Sequence, residues 1–116
     1  MELVALLSSG KGTWGQVAGL IKQGEWDKIV LVADDFSKKF DPGKKADIVV
    51  VDFNKPIKEL KQDLKEKLKG KFEGMEVALS IASGEGKEHM ALISALIDIP
   101  VGIKFTALTK EGIIQF

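Results

Sequence analysis

Two short apolar runs each lead into a loop bearing glycine and lysine, and each loop opens a helical pattern. The first run is Leu3-Val4-Ala5-Leu6-Leu7, followed by Ser8-Ser9-Gly10-Lys11-Gly12-Thr13-Trp14-Gly15. The second is Val77-Ala78-Leu79-Ser80-Ile81, followed by Ala82-Ser83-Gly84-Glu85-Gly86-Lys87-Glu88. Unbroken apolar runs of this length read as strands buried on both faces. Strand, loop and helix in that order make the crossover unit of a parallel sheet. The loops also have a chemistry. A helix start offers unpaired N–H groups at the positive end of its dipole, so it attracts anions. Glycine lets the main chain approach a phosphate, and each lysine adds positive charge.

The rest of the chain continues the alternation. Residues 2–8 are the first expected strand, and residues 13–23 the first helix, with Trp14, Val17, Ala18 and Ile21 on its apolar face and Gly24 at its end. Strands follow at 28–33 and 47–52, separated by a helical turn within 36–45 that Asp41-Pro42-Gly43 breaks. A helix over 56–69 presents Ile57, Leu60, Leu64 and Leu68 as one narrow stripe. A fourth strand spans 75–82, and a helix over 86–98 is apolar nearly all round. Strands at 101–108 and 113–116, joined by Thr109-Lys110-Glu111-Gly112, read as a hairpin. The expectation is one α/β domain over 1–116: a doubly wound, mostly parallel, Rossmann-like sheet with helices on both faces and a C-terminal β-hairpin. In the strand order 3-2-1-4-5 the first and fourth strands are neighbours, and the crevice at their carboxyl ends is the switch point where such sheets bind ligands. The two glycine loops leave those two strands and are expected to meet there. The second face of helix 86–98 needs a cover, which is either a second copy in a homodimer or the C-terminal segment.

Composition narrows the chemistry. All seventeen basic residues are lysines, matched by seventeen acids for a formal net charge of zero. A neutral chain has no global field for duplex nucleic acid or an anionic membrane, so any phosphate site is local. Without arginine, phosphate must be held by lysine, hydroxyls and main-chain amides. The absence of cysteine excludes disulfides, zinc–thiolate sites and thiol nucleophiles. It fits a cytoplasmic protein, and the lysine and glutamate bias is one that hyperthermophile proteins share. No signal-peptide pattern and no membrane-length apolar run is present.

Gly10, Gly12 and Gly15 satisfy G-x-G-x-x-G, with Asp34 at the end of the second strand where a dinucleotide enzyme keeps an acid for its ribose. That reading competes with one in which the glycines only permit a tight turn. Ser83-Gly84-Glu85-Gly86-Lys87 lacks Walker spacing; as a phosphate site it would use the amides near Gly86 and Lys87 and the Lys87 ammonium. Trp14 could stack on a base but shares the apolar face of Val17 and Ile21, which favours packing. His89, the one histidine, sits in a helical first turn without a nucleophile at motif spacing. Asp34, Asp35 and Asp52 stand at strand ends, where acids hold magnesium or, more often, cap turns. The lysines from Lys55 to Lys71 are interleaved with acids and form a solvated face.

This arrangement resembles the CRISPR-associated Rossmann-fold (CARF) sensor domain. Ser83-Gly84-Glu85-Gly86-Lys87 is similar to that family's [Ser/Thr]-Gly-x-x-Lys-like motif after the fourth strand. Residues Ser8 to Trp14 sit where its first loop belongs, and residues 101–116 match its closing hairpin. The resemblance implies a homodimer with a symmetric pocket for a cyclic oligoadenylate, contacted by both loops of each subunit. Ser8, Ser9, Gly10, Lys11, Gly12 and Thr13 would line it beside Ser83, Gly84, Glu85, Gly86 and Lys87. Some stand-alone members open the ligand ring without a metal or other cofactor, and there Lys87 or Lys11 would stabilise the developing charge. The family's usual appended effector has no counterpart in these residues, which implies a ligand-degrading enzyme, a ligand sink or a regulatory subunit. Two alternatives stay open: a small NAD-type dinucleotide-binding protein using Asp34, and a regulatory α/β domain with no small ligand.

Overall fold

In the computed structural model, which describes residues 1–8 and 13–116, the apolar runs form the expected sheet. The elements are β1 (Glu2–Leu6), α1 (Trp14–Gln23), β2 (Lys28–Ala33), β3 (Asp47–Val50), α2 (Ile57–Leu68), β4 (Glu76–Ser80), α3 (Gly86–Asp98), β5 (Gly102–Thr109) and β6 (Gly112–Gln115). A short 3-10 turn, Ser37–Lys39, lies between β2 and β3. The sheet order is β3-β2-β1-β4-β5-β6. The first five strands run parallel, and β6 pairs antiparallel with β5 to close the hairpin. This is a Rossmann-like α/β fold.

Strand alternation sorts the core into two layers. Val4 and Leu6 of β1 face α2 and α3, where they pack with Leu60, Leu64, Leu92 and Leu96. Leu3, Ala5 and Leu7 face α1 and meet Val17, Leu20 and Ile21. Being central, β1 is buried at every position, which is why it reads as a continuous apolar run.

β2 and α3 keep the expected bounds, and the other strands and helices differ from expectation at one or both ends by a residue or two. Val51 still donates to Ala33 O at 2.8 Å, one step past the end of β3. The apolar face of α1 is rotated from the expected one, since Leu20 is fully buried and Ala18 is exposed. Ile57, expected in the stripe of α2, overhangs the first turn and is 39% exposed. Gly24 ends α1 as expected, but not by a left-handed turn: its φ is −87°. A Cβ there would lie 2.4 Å from Nε1 of the Trp26 indole, so the need is for space.

Gln16 of α1 presents its side-chain amide to β5: Leu108 N–H donates to Oε1 at 2.5 Å and Nε2 donates to Leu108 O at 3.2 Å. On α3, Ala91, Leu92, Ala95 and Leu96 enter the core, while Met90 and Ile97 remain 63% and 59% exposed. The C-terminal segment therefore does not cover that face. Among the described residues no helix is long and apolar enough to cross a membrane.

Candidate functional site

The carboxyl ends of β1 and β4 lie side by side, and the loops that leave them touch. Ser8 N–H donates to Ser83 Oγ at 3.0 Å, in a contact buried from solvent. Residues seventy-five apart in sequence are thereby joined at the switch point, as the strand order requires. Ser83 is sealed completely, and its carbonyl oxygen takes a second bond, from His89 Nε2 at 3.0 Å. A carbonyl only accepts, so the His89 proton sits on Nε2. Ser83 thus ties the two loops together, and His89 braces the tie.

Trp14 is committed to packing. Its Nε1 donates to Ser8 O at 2.8 Å, and its ring meets Phe40 edge-on at 5.8 Å and Phe36 at 6.0 Å. Thr13 is the N-cap residue of α1. Ser9, Gly10, Lys11 and Gly12, the heart of the first loop and four of the expected ligand-binding positions, lie outside the described residues.

The two glycines of the second loop do different work. Gly84 has φ +100°, and a Cβ there would stand 2.4 Å from Leu6 Cδ2 and 2.8 Å from Glu88 Oε1. Only glycine fits. Gly86 has open space around its missing Cβ, so the fold does not demand it; it leaves the first residue of α3 unobstructed. The start of α3 is capped by acids. Glu88, 8% exposed, accepts Glu85 N–H on Oε1 at 3.0 Å, and Glu85 faces the Glu88 amide to complete a capping box. The box leaves the Gly86 and Lys87 amides as donors for an incoming anion. It also places two carboxylates beside them, so a phosphate there needs a lysine counter-charge. The Lys87 ammonium is at hand but engaged: Nζ donates to Phe53 O at 2.9 Å, beyond the end of β3.

The strand-end acids do not converge. Asp34 Oδ1 accepts Ser37 N–H at 2.8 Å and lies 2.7 Å from Ser37 Oγ, capping the 3-10 turn. Asp35 pairs with Lys38 at 3.0 Å, and Asp52 accepts Asn54 N–H at 2.9 Å. Among the described residues no group of three metal-ligating side chains is placed to hold an ion. Asp34 and Asp52 each serve their own turn, the commoner of the two roles expected for acids at strand ends.

Two residues of interest were not apparent in the sequence. Ser80 ends β4 fully buried, its hydroxyl without a hydrogen-bond partner among the described residues. Its one signal is a serine in an otherwise apolar strand. Glu2 is the other, a buried acid opening β1 at the far end of the sheet.

Fold and site together define a Rossmann-like α/β protein whose two glycine loops are tied to each other at the β1–β4 switch point. No protein-family model and no curated protein matches the chain.

Proposed function

We propose that the chain is a CARF-like nucleotide-sensing domain that binds a phosphate-containing nucleotide, a cyclic oligoadenylate, across a homodimer. The observation that carries this reading is the Ser8–Ser83 hydrogen bond, which brings both anion-suited loops to one crevice. A ligand with phosphates on two sides suits two adjacent helix starts. Released from Phe53 O, the Lys87 ammonium would supply the counter-charge for a phosphate held by the Gly86 and Lys87 amides.

The exposed Met90 and Ile97, with Ile93 half-buried between them, supply the apolar stripe that a twin subunit covers. Ile114 and Phe116 of the hairpin, also exposed, lie on the same side of the sheet. Where the bound ring opens, a ribose 2′-hydroxyl attacks the adjacent phosphorus in line. The 2′-oxygen–phosphorus bond forms as the 5′-oxygen leaves, and the proton lost from one hydroxyl is matched by the proton gained at the other. Lys87 or Lys11 would stabilise the charge on the phosphoryl oxygens. The dinucleotide alternative gains no support from Asp34, whose Oδ1 is occupied by Ser37.

Thermal-shift titration with cyclic and linear oligoadenylates, NAD and ATP tests the proposal. A cyclic oligoadenylate at a hundredfold excess over its dissociation constant should add about 2.7 kcal/mol of stability. Lys87→Ala should reduce that gain and leave the unliganded melting temperature nearly unchanged. A shift with NAD alone, or with none of these ligands, sinks the reading.

A further inference from the structure

At the opposite end of the sheet, the amino ends of β1, β2 and β4 and the segment before β3 border a cleft of about 870 Å³. Glu2 lines it and is 5% exposed. Its Oε1 accepts the amides of Glu73 and Gly74 at 3.0 and 2.8 Å. Its Oε2 is sealed from solvent and has no hydrogen-bond partner among the described residues. Leaving a buried carboxylate oxygen unpaired is costly, and a carboxylate accepts more bonds than this one makes.

The neighbouring cations are committed elsewhere. Lys28 donates to Lys71 O at 2.5 Å and faces Asp47 at 3.8 Å. Lys71 faces Asp47 at 3.9 Å, and the N-terminal ammonium pairs with Asp27. With those pairs set aside, the cleft is bipolar. Glu2, Glu73 and Glu76 line the β1–β4 side without an ion pair among the described residues. Lys44 and Lys45 line the β3 side. Strands are spaced about 4.8 Å apart, so the β1 and β3 positions stand about 10 Å from each other. The Trp26 indole, fixed by its 2.8 Å bond to Leu20 O, forms part of the wall. Among the described residues these carboxylates are not grouped so as to hold a divalent cation. A carboxylate and a fixed indole lining one cleft do suit an organic ammonium group.

We propose that this cleft binds a short zwitterionic peptide. Its terminal ammonium takes Glu2 Oε2, and its carboxylate meets Lys44 and Lys45. The exposed Glu73–Gly74–Met75 turn, fastened by Oε1, moves aside to admit the ammonium group.

Triglycine is the probe, since three extended residues span about 10 Å. Its C-terminal amide keeps only the ammonium, and its N-acetyl form keeps only the carboxylate. Amide chemical shifts are followed through a titration of the full chain into the millimolar range. Triglycine should move the resonances of residues 2, 26–29, 44–47 and 73–76, with each blocked form binding about tenfold more weakly. Glu2→Gln keeps a carbonyl oxygen for the two amides and removes the unpaired charge. It should abolish triglycine binding while holding or raising the unliganded melting temperature. The double variant Lys44→Ala, Lys45→Ala, on exposed positions that cannot unfold the core, should weaken triglycine but not its amide. Absence of shifts at those residues, equal binding of all three probes, or undiminished binding by Glu2→Gln overturns the proposal.

Discussion

Gly84→Ala should be among the most damaging single-methyl changes this chain can take, and its cost can be worked from two independent contributions. The φ of +100° lies where L side chains are strained, at about 1–3 kcal/mol. The added Cβ would also stand 2.4 Å from Leu6 Cδ2, a side chain packed at full burial in the core between sheet and helices. Overpacking of that kind costs about 1–3 kcal/mol. Glu88 Oε1 at 2.8 Å would have to move as well, loosening the acid that caps α3. The sum, about 2–6 kcal/mol, is a large share of the roughly 5–15 kcal/mol that holds a typical domain. At 116 residues it corresponds to a melting-temperature drop of about 8–24 °C. Urea unfolding is the assay: the midpoint should fall while the slope stays the same. Gly86→Ala, two residues away with open space around it, is the control and should be neutral or stabilise by about 0.5–1 kcal/mol. A Gly84→Ala loss below about 1 kcal/mol, or equal effects at the two glycines, would refute the steric argument.

Ser83→Ala removes the acceptor of the buried Ser8 amide and should cost about 1–3 kcal/mol, with faster hydrogen exchange at Ser8 than at its strand neighbours. Met90→Lys with Ile97→Lys should give a folded monomer by sedimentation, each change altering monomer stability by less than about 0.5 kcal/mol; unfolding instead would place that face in a core. Asp98 is bonded to Lys61 at 2.7 Å, and that hydrogen bond, with the lysine's charge, holds its carboxyl below the usual range. Because the folded-state value is depressed, the pair's contribution is present above the unfolded value and is lost as pH falls through the folded one. Asp98→Asn should therefore flatten part of the acid limb of a stability–pH curve, and an unchanged limb would remove the pair from the account.

The fold was legible because its grammar is local. Five apolar runs, each followed by a helical or turn pattern, leave little choice but parallel crossovers, and right-handed connections place the first and fourth strands together. What escaped was phase and partnership. Whether Ala18 or Leu20 faces the core depends on how α1 rolls across the sheet. Loop composition likewise showed glycine and lysine but not their assignments. Gly84 and Gly86 look alike in the sequence; one is fixed by the Leu6 side chain and the other by nothing nearby. Ser83 reads as a ligand hydroxyl, and loop composition held no sign that it also accepts the buried Ser8 amide. Glu85 and Glu88, three apart at a helix start, carry a capping signal that the lysine between them obscured. Glu2 offered only the oddity of an acid opening an apolar strand, since its partners come from a turn seventy residues away.

The Gln16 amide beside Leu108 has a mechanical consequence. β5 runs on past the last residue of β4, and a helix side chain takes the place of the missing strand by offering one donor and one acceptor to the same residue. The first turn of α1 is in effect splinted to the strand that carries the hairpin. The start of that helix and the strand beside the outer edge of the sheet are then joined directly through Gln16 and Leu108, by a route that does not cross the core.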